Sequence, residues 1–317
     1  MTSQRHANGT LRHLLTLEDL SRAELEMLLE RAQHYARGPS AAAPRSAALA
    51  GVTVANMFTE PSTRTRVSFE LAAKRLGAEV VNLEMELSSR AKGESMLDTI
   101  FTLQALHVDV FVLRDAEVGV PAMVAAHVAP HVSVLSAGEA HVSHPTQGLL
   151  DALTVLQKKG RCDPLSIAIV GDIRHSRVAR SAYQAFRILG AGDLRIVAPP
   201  TLMPEPEEFT AAARCTDIAQ GIGGADVVMM LRIQKERFGD AASPVGDEYF
   251  REFGLTAQRL ALAKPDAIVM HPQPMNRGVE IESAVADGPQ SVIREQVANG
   301  VAVRMAVLEV LAVTKGR

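Results

Sequence analysis

Short, nearly continuous apolar runs alternate with longer stretches of helical spacing along most of this chain. The clearest run, Val52 to Phe58, breaks at Thr59-Glu60-Pro61. It passes through Ser62-Thr63-Arg64-Thr65-Arg66 into a helical pattern, Val67 to Leu76, closed by Gly77. A second run, Glu79 to Leu83, follows at once, and strand–helix–strand in that order predicts a parallel βαβ unit. The rhythm continues with a helix over 94–106, a buried strand from Val108 to Leu113 ending at Arg114, and a further helix and strand ending near Ser136. His144-Pro145-Thr146-Gln147 leads into a helix over 148–157, and the residue before a proline is held extended, so His144 belongs at that helix entrance. In the second half, strands are predicted over 165–170 (ending in Gly171-Asp172), 194–198, 225–231 (ending at Arg232) and 267–270 (ending in His271-Pro272-Gln273-Pro274). A helix is predicted over 176–189 and a final amphipathic helix over 291–313. Near the N-terminus, Ser21-Arg22-Ala23-Glu24 reads as a capping box opening a helix through Tyr35, with Leu25, Leu28 and Leu29 inward. Residues 38–51 and 84–93 read as loops.

This rhythm predicts an α/β chain of two doubly wound parallel-sheet domains. The first spans 1–147, the second 148–290, and the terminal helix, 291–317, packs back on the first. Arg64, Arg114, His144, Arg177, Arg232 and Gln273 fall at or just beyond predicted strand C-termini, the edge at which open parallel sheets bind ligands. Such residues in both halves point to an active site in the cleft between the domains. The start of the helix after Val52–Phe58 is chemically suited to an anion. Its first N–H groups lack intrahelical partners, its dipole end is positive, and Ser62 or Thr63 is the N-cap candidate beside Arg64. Two hydroxyls and a guanidinium there fit a doubly charged oxyanion such as phosphate.

Composition narrows the field. With 33 Lys and Arg against 36 Asp and Glu, the chain has no basic excess for nucleic acid or an anionic membrane surface, so the arginines act singly. Two cysteines, Cys162 and Cys215, make neither a disulfide framework nor a metal spacing, which fits a reducing cytoplasm. No apolar run approaches a membrane span, and MTSQRHANGT lacks the apolar centre of a signal peptide. Gly171-Asp172 resembles a truncated nucleotide loop but lacks the full Gly-x-Gly-x-x-Gly, so a dinucleotide site is not expected.

Several longer blocks are more specific. FTEPSTRTRVSFE resembles the carbamoyl-phosphate signature of the aspartate/ornithine carbamoyltransferase family, and SSRAKGE, VFVLR, HPTQGLLD, VGDIRHSRVARS, LRIQKER and VMHPQP follow in the family's order. The resemblance runs from about residue 11 to the end and is closest to catalytic chains of the aspartate type. It implies transfer of the carbamoyl group of carbamoyl phosphate to the amine of L-aspartate, a reaction that needs no metal or redox cofactor. Ser62, Thr63, Arg64, Thr65 and Arg114 would hold the phosphate, and Thr65, Arg114 and His144 would polarise the carbonyl. Gln147, with the backbone carbonyls of Pro272 and Gln273, would fix the carbamoyl amide. Arg177, Arg232 and Gln234 would hold the carboxylates of aspartate. Ser88 and Lys92 would reach into a neighbouring subunit's site, which implies a homotrimer of catalytic chains, to which relatives add regulatory or dihydroorotase-like chains.

These residue types suit that reaction. An amine attacks the carbamoyl carbon, the carbonyl oxygen gains charge, and positioned donors at that oxygen lower the barrier. Planar guanidinium groups match planar carboxylates better than ammonium groups do. The ornithine branch shares the first block but usually carries His-Pro-Cys-Gln and a late His-Cys-Leu-Pro, where this chain has His144-Pro145-Thr146-Gln147 and His271-Pro272-Gln273-Pro274. One departure is the Pro274-Met275-Asn276-Arg277 ending, which leaves no role assigned to Arg277. A carbamoyltransferase-like scaffold without activity would be expected to lack some of Arg64, Lys92, Arg114 and His144, and all four are present.

Overall fold

The computed structural model describes residues 4–41, 43–84, 95–233 and 247–313. Ser88, Lys92 and Gln234 lie outside the described residues, as do the expected loop around the first two and most of the LRIQKER block. The chain forms two compact units. One comprises residues 1–150 and 298–317, the other 151–297. Both passages occur inside helices, α5 (Pro145–Lys159) and α11 (Ile293–Val313).

The first unit is built on four parallel strands, β1 (Thr53–Phe58), β2 (Glu79–Glu84), β3 (Val110–Asp115) and β4 (Ser133–Glu139), in the order β2-β1-β3-β4. The βαβ unit read from the sequence is present, with α2 (Thr63–Arg75) between β1 and β2. Its C-terminus shows why Gly77 stands there. Gly77 has φ 84°, and the N–H groups of Gly77 and Ala78 return to the carbonyls of Lys74 and Ala73. That is the Schellman closure, which needs a left-handed residue and so favours glycine. Alternate residues of β1 and β3, Ala55 and Met57, Phe111 and Leu113, with Val134 of β4 and Val132 just before it, meet Ile100 of α3 (Met96–Ala105) and Val124 of α4 (Val120–His127) in one apolar cluster. Phe69 of α2 is fully buried and lies under the guanidinium of Arg304 from α11, 4.9 Å from ring centroid. Helix α1 (Arg22–Tyr35) opens with the complete capping box, and Tyr35 donates to Glu309 of α11 at 2.9 Å.

The second unit has five parallel strands, β5 (Ser166–Val170), β6 (Asp193–Val197), β7 (Ala213–Cys215), β8 (Val227–Met230) and β9 (Ile268–Met270), in the order β7-β6-β5-β8-β9. Four of these match predicted runs. The edge strand β7 does not, since it has three residues, two of them exposed. Helix α6 (Arg177–Ile188) is strongly one-sided and buries Ala179, Ala182, Ala185 and Phe186. Four short helices have no counterpart in the sequence pattern, namely α7 (Ile218–Ile222), α8 (Asp247–Phe253), α9 (Ala257–Leu260) and α10 (Ser283–Ala286). Among the described residues, no helix is long and apolar enough to cross a membrane.

Candidate active site

In the first unit the strand order marks the candidate site. β1 is flanked by its successors β2 and β3, so the topological switch point lies between β1 and β3, where open sheets form a crevice beyond the strand ends. The turn after β1 carries the Ser62-to-Arg66 segment, and β3 carries Arg114 in register with Phe58. Both hydrogen-bonding groups of Thr59, its N–H and its hydroxyl, donate to the Arg114 carbonyl at 3.0 and 3.2 Å. The guanidinium of Arg114 donates to the Ala137 carbonyl at 3.2 Å and pairs with Glu60 at 3.3 Å. The turn and the arginine are therefore one assembly.

Ser62 is the N-cap of α2, but its side chain makes no capping hydrogen bond, so the hydroxyl is not consumed by the helix it begins. Thr63 and Arg64 are exposed on the first turn, whereas Thr65 is buried on its inner side. His144 is buried one residue before α5, in the place predicted for it. The helix itself starts at Pro145, three residues before the expected start, because proline at the first helical position has no orphan N–H and a helical φ already set. The His144 carbonyl accepts from the N–H groups of Gln147 and Gly148 at 2.9 and 3.2 Å, and Gln147 is buried.

The second unit repeats the logic. β5 lies between β6 and β8, so its switch point falls between β5 and β8. Arg177 follows β5 and Arg232 follows β8. Three arginines stand in the VGDIRHSRVARS block, and the structure separates their duties. Arg174 is an exposed partner of Glu205 at 2.9 Å. Arg180 binds the Arg174 carbonyl at 3.0 Å and pairs with Glu208. Arg177 is the buried one, 9% exposed, and it opens α6 directly after Ser176, whose hydroxyl accepts from the Ala179 N–H at 3.1 Å. The turn before it is held by Asp172, fully buried, which accepts from the backbone N–H of His175 at 3.2 Å and lies 2.9 Å from His175 Nδ1. Gly171 has φ 136°, and a Cβ there would lie 2.9 Å from the Leu231 carbonyl oxygen and 2.9 Å from its Cβ. Only glycine lets the β5 end pass so close to the residue that precedes Arg232.

After β9 the chain turns through Gln273, at φ 62°, and a cis Gln273–Pro274 bond. His271, fully buried, organises this turn. Its Nδ1 accepts the Gln273 N–H at 2.9 Å, so its proton is on Nε2, which lies 3.3 Å from Glu280 Oε1. The same Glu280 oxygen accepts the Asn276 N–H. Asn276 in turn donates to the Ile233 carbonyl at 3.1 Å, fastening the turn to the segment after Arg232. Arg277 has a different duty. It makes a two-pronged pair with Asp287, at 2.6 and 3.0 Å, on the surface of the unit. In the sequence His271 stands out only as part of the VMHPQP block. Glu280, nine residues further along, carried no signal in the sequence.

The two halves also match two family models. Residues 12–157 match the aspartate/ornithine carbamoyltransferase carbamoyl-P binding domain, and residues 163–311 the aspartate/ornithine carbamoyltransferase Asp/Orn binding domain. The chain belongs to the aspartate/ornithine carbamoyltransferase family. Among solved structures it is similar to aspartate transcarbamoylase from Trypanosoma cruzi in complex with carbamoyl phosphate and aspartate. The two are 32% identical over 95% of this chain and 96% of that one, with a TM-score of 0.83. It is likewise similar to ornithine carbamoyltransferase from Pyrococcus furiosus, 29% identical over 95% of this chain and 97% of that one, TM-score 0.84. A third similar structure is ornithine carbamoyltransferase from Thermus thermophilus, at 25% identity over 95% and 99%, TM-score 0.83.

Proposed function

We propose that this chain transfers the carbamoyl group of carbamoyl phosphate to L-aspartate, giving N-carbamoyl-L-aspartate and phosphate, a step of pyrimidine biosynthesis. The observation that carries the choice of amine is the pair of arginines at the switch point of the second sheet. Aspartate brings two carboxylates, and Arg177 and Arg232 are two guanidinium groups at the ligand-binding edge, with Gln234 as a further donor. Ornithine brings one carboxylate and a second amine, for which a second arginine is the wrong partner. The similarity to the Trypanosoma cruzi enzyme in complex with aspartate supports the same reading.

In this reaction the start of α2, with Ser62, Thr63, Arg64 and Thr65, holds the phosphate together with Arg114. Thr65, Arg114 and His144 donate to the carbonyl oxygen as it gains charge. Gln147 and the carbonyls of Pro272 and Gln273 hold the carbamoyl NH2. The amine nitrogen of aspartate forms the new bond to carbon, the carbon–oxygen bond to phosphate breaks, and the departing phosphate takes a proton from the amine. His144 then serves as a hydrogen-bond donor rather than as the base. Two held substrates avoid much of the entropy cost of their encounter. Ser88 and Lys92 act on the site of a neighbouring copy in a homotrimer, adding positive charge where the two substrates' anions lie.

The test is carbamoyl transfer by the purified protein, with L-aspartate and L-ornithine compared at equal concentration. Carbamoyl-aspartate is the expected product. Turnover of ornithine without aspartate refutes the assignment, and no turnover of either identifies a scaffold.

A further inference from the structure

The loops that present Arg114 and His144 are joined by a side chain outside every motif considered so far. Leu113 pairs with Ser136 but Asp115 pairs with Glu139, so β4 carries one extra residue opposite Arg114. A bulge of this kind re-aims the strand end. It brings Glu139, 7% exposed, alongside Asp115, 5% exposed. The Glu139 carboxylate reaches across to the loop after Arg114, where its Oε1 accepts the Gly119 N–H at 2.6 Å. Gly119, at φ 90°, begins α4, so this bond fixes the whole turn between β3 and that helix. In the same turn Asp115 Oδ1 accepts the Glu117 N–H at 2.9 Å.

The backbone of Glu139 holds the other loop. Its N–H donates to the Ser143 carbonyl at 2.8 Å, and its carbonyl accepts from Val142 and Ser143 at 2.9 and 3.3 Å. Ser143 is joined directly to His144. Between the two loops, Ala140, at φ 40°, donates its N–H to the Asp115 carbonyl at 2.8 Å. Burial pushes the Glu139 carboxyl above its ordinary range; the Gly119 N–H works against this, and the charge of Asp115 adds to it. An apolar side chain would avoid that cost but would leave the Gly119 N–H without its acceptor.

We propose that Glu139 is a positioning residue for carbamoyl transfer, setting the distance between the Arg114 guanidinium and the His144 ring by clamping both of their loops. This rests on the roles given above to Arg114 and His144. Both would donate to the same developing charge, and such donors act only when correctly placed. A displacement of about 1 Å from outside the site can cost about 100-fold in rate.

Three variants separate positioning from bulk structure. Glu139→Gln keeps an acceptor of the same reach without the charge. Glu139→Asp keeps the charge but withdraws the acceptor by one methylene, and Glu139→Ala removes it. The expected result is a kcat lowered about 30-fold or more in the Asp and Ala variants and within about threefold of wild type in the Gln variant, with KM for the amine changed less than about threefold throughout. Thermal unfolding and kcat per folded site are measured on the same samples, and if the Ala variant does not fold the Asp and Gln pair decides. Wild-type kcat in a folded Asp variant, or a Gln variant as impaired as the Ala variant, overturns the proposal. Each assay is run with aspartate and with ornithine. Activity with ornithine alone sinks the aspartate assignment while the variant ratios still judge Glu139. If neither amine reacts, calorimetric binding of carbamoyl phosphate is the readout. Weakening by about fivefold or more in Asp and Ala, but not Gln, is then expected, and equal affinities refute the clamp.

Discussion

Replacing Gly171 by alanine should damage the second unit twice over, by amounts that can be separated. The first cost is conformational. At φ 136° an L-residue is disfavoured, by about 1 kcal/mol or more relative to glycine. The second is a collision. The new methyl group would lie 2.9 Å from both the Cβ and the carbonyl oxygen of Leu231, about half an ångström inside ordinary contact, and one of those atoms is backbone. Leu231 cannot retreat freely, since its N–H is bonded to the Val170 carbonyl at 2.7 Å. Overpacking of this kind costs about 1–3 kcal/mol, so the sum is about 2–4 kcal/mol. Gly224→Ala is the control. Gly224 also has a positive φ, 66°, but nothing lies within 4 Å of its added Cβ, so only the first cost applies. A chain of two units need not unfold in one step, so the assay is amide hydrogen exchange resolved over β5, β6 and β8. Exchange there should quicken far more in Gly171→Ala than in Gly224→Ala. Because Leu231 precedes Arg232, KM for the amino acid should also rise in the first variant only. Equal exchange in the two variants would refute the collision argument.

Other outcomes are expected. His144→Ala should lower kcat by about 100-fold or more with a smaller change in KM, and a pure KM effect would contradict the role proposed for it at the carbonyl oxygen. His13, fully buried, accepts the Val134 N–H at 2.9 Å, and burial, aided by Arg12 and then His6, holds its pKa at about 3 against an ordinary 6.5. The unfolded chain therefore takes up a proton that the native chain refuses, and stability should fall as pH drops from 6.5 towards 3. The gap in thermal midpoint between wild type and His13→Leu should accordingly narrow over that range, and a constant gap would count against the mechanism. Arg277→Ala, which breaks only an exposed pair with Asp287, should leave turnover and thermal midpoint unchanged within error, and a lost activity would move Arg277 into the site. Lys92→Ala and Arg64→Ala chains, each inactive alone, should regain a minor part of the activity after dissociation and reassociation together; confirmed exchange without recovery would assign Lys92 to its own chain's site.

What could be read from the sequence was whatever has a local physical signature. The turn from β1 into α2 has one, an apolar run that is β1, a proline after it and Gly77 closing the helix, although the Ser62 hydroxyl at its start makes no capping bond. Strand β7 has none, because three residues with two exposed make no pattern. Helices α7 to α10, four to seven residues long, are too short for a helical period to repeat. The predicted start of α5, at residue 148, is late because Pro145 reads as a boundary before the helix, although proline is favoured inside the first turn. Among Arg174, Arg177 and Arg180 the sequence reading singles out Arg177, and Arg177 is the buried one of the three. Glu139 and Glu280 could not be found from sequence. Each acts through a carboxylate on backbone N–H groups brought near by strand register or by a turn, and that neighbourhood exists only after folding.

The passage of α11 from one unit to the other bears on how the chain is made. Everything the second unit contains has been synthesised once residue 297 is added, whereas the first unit still lacks residues 298–313. Those residues include Val303, Met305, Ala306, Val307, Leu308 and Leu311, all buried, and the Leu311 carbonyl that accepts from the Ser133 hydroxyl at 3.1 Å beside β4. On the ribosome the order of completion is therefore the reverse of the order of the sequence. The residues that complete the first unit are thus made after those of the second, and β1 to β4 lack these contacts until residues 298–313 have been added.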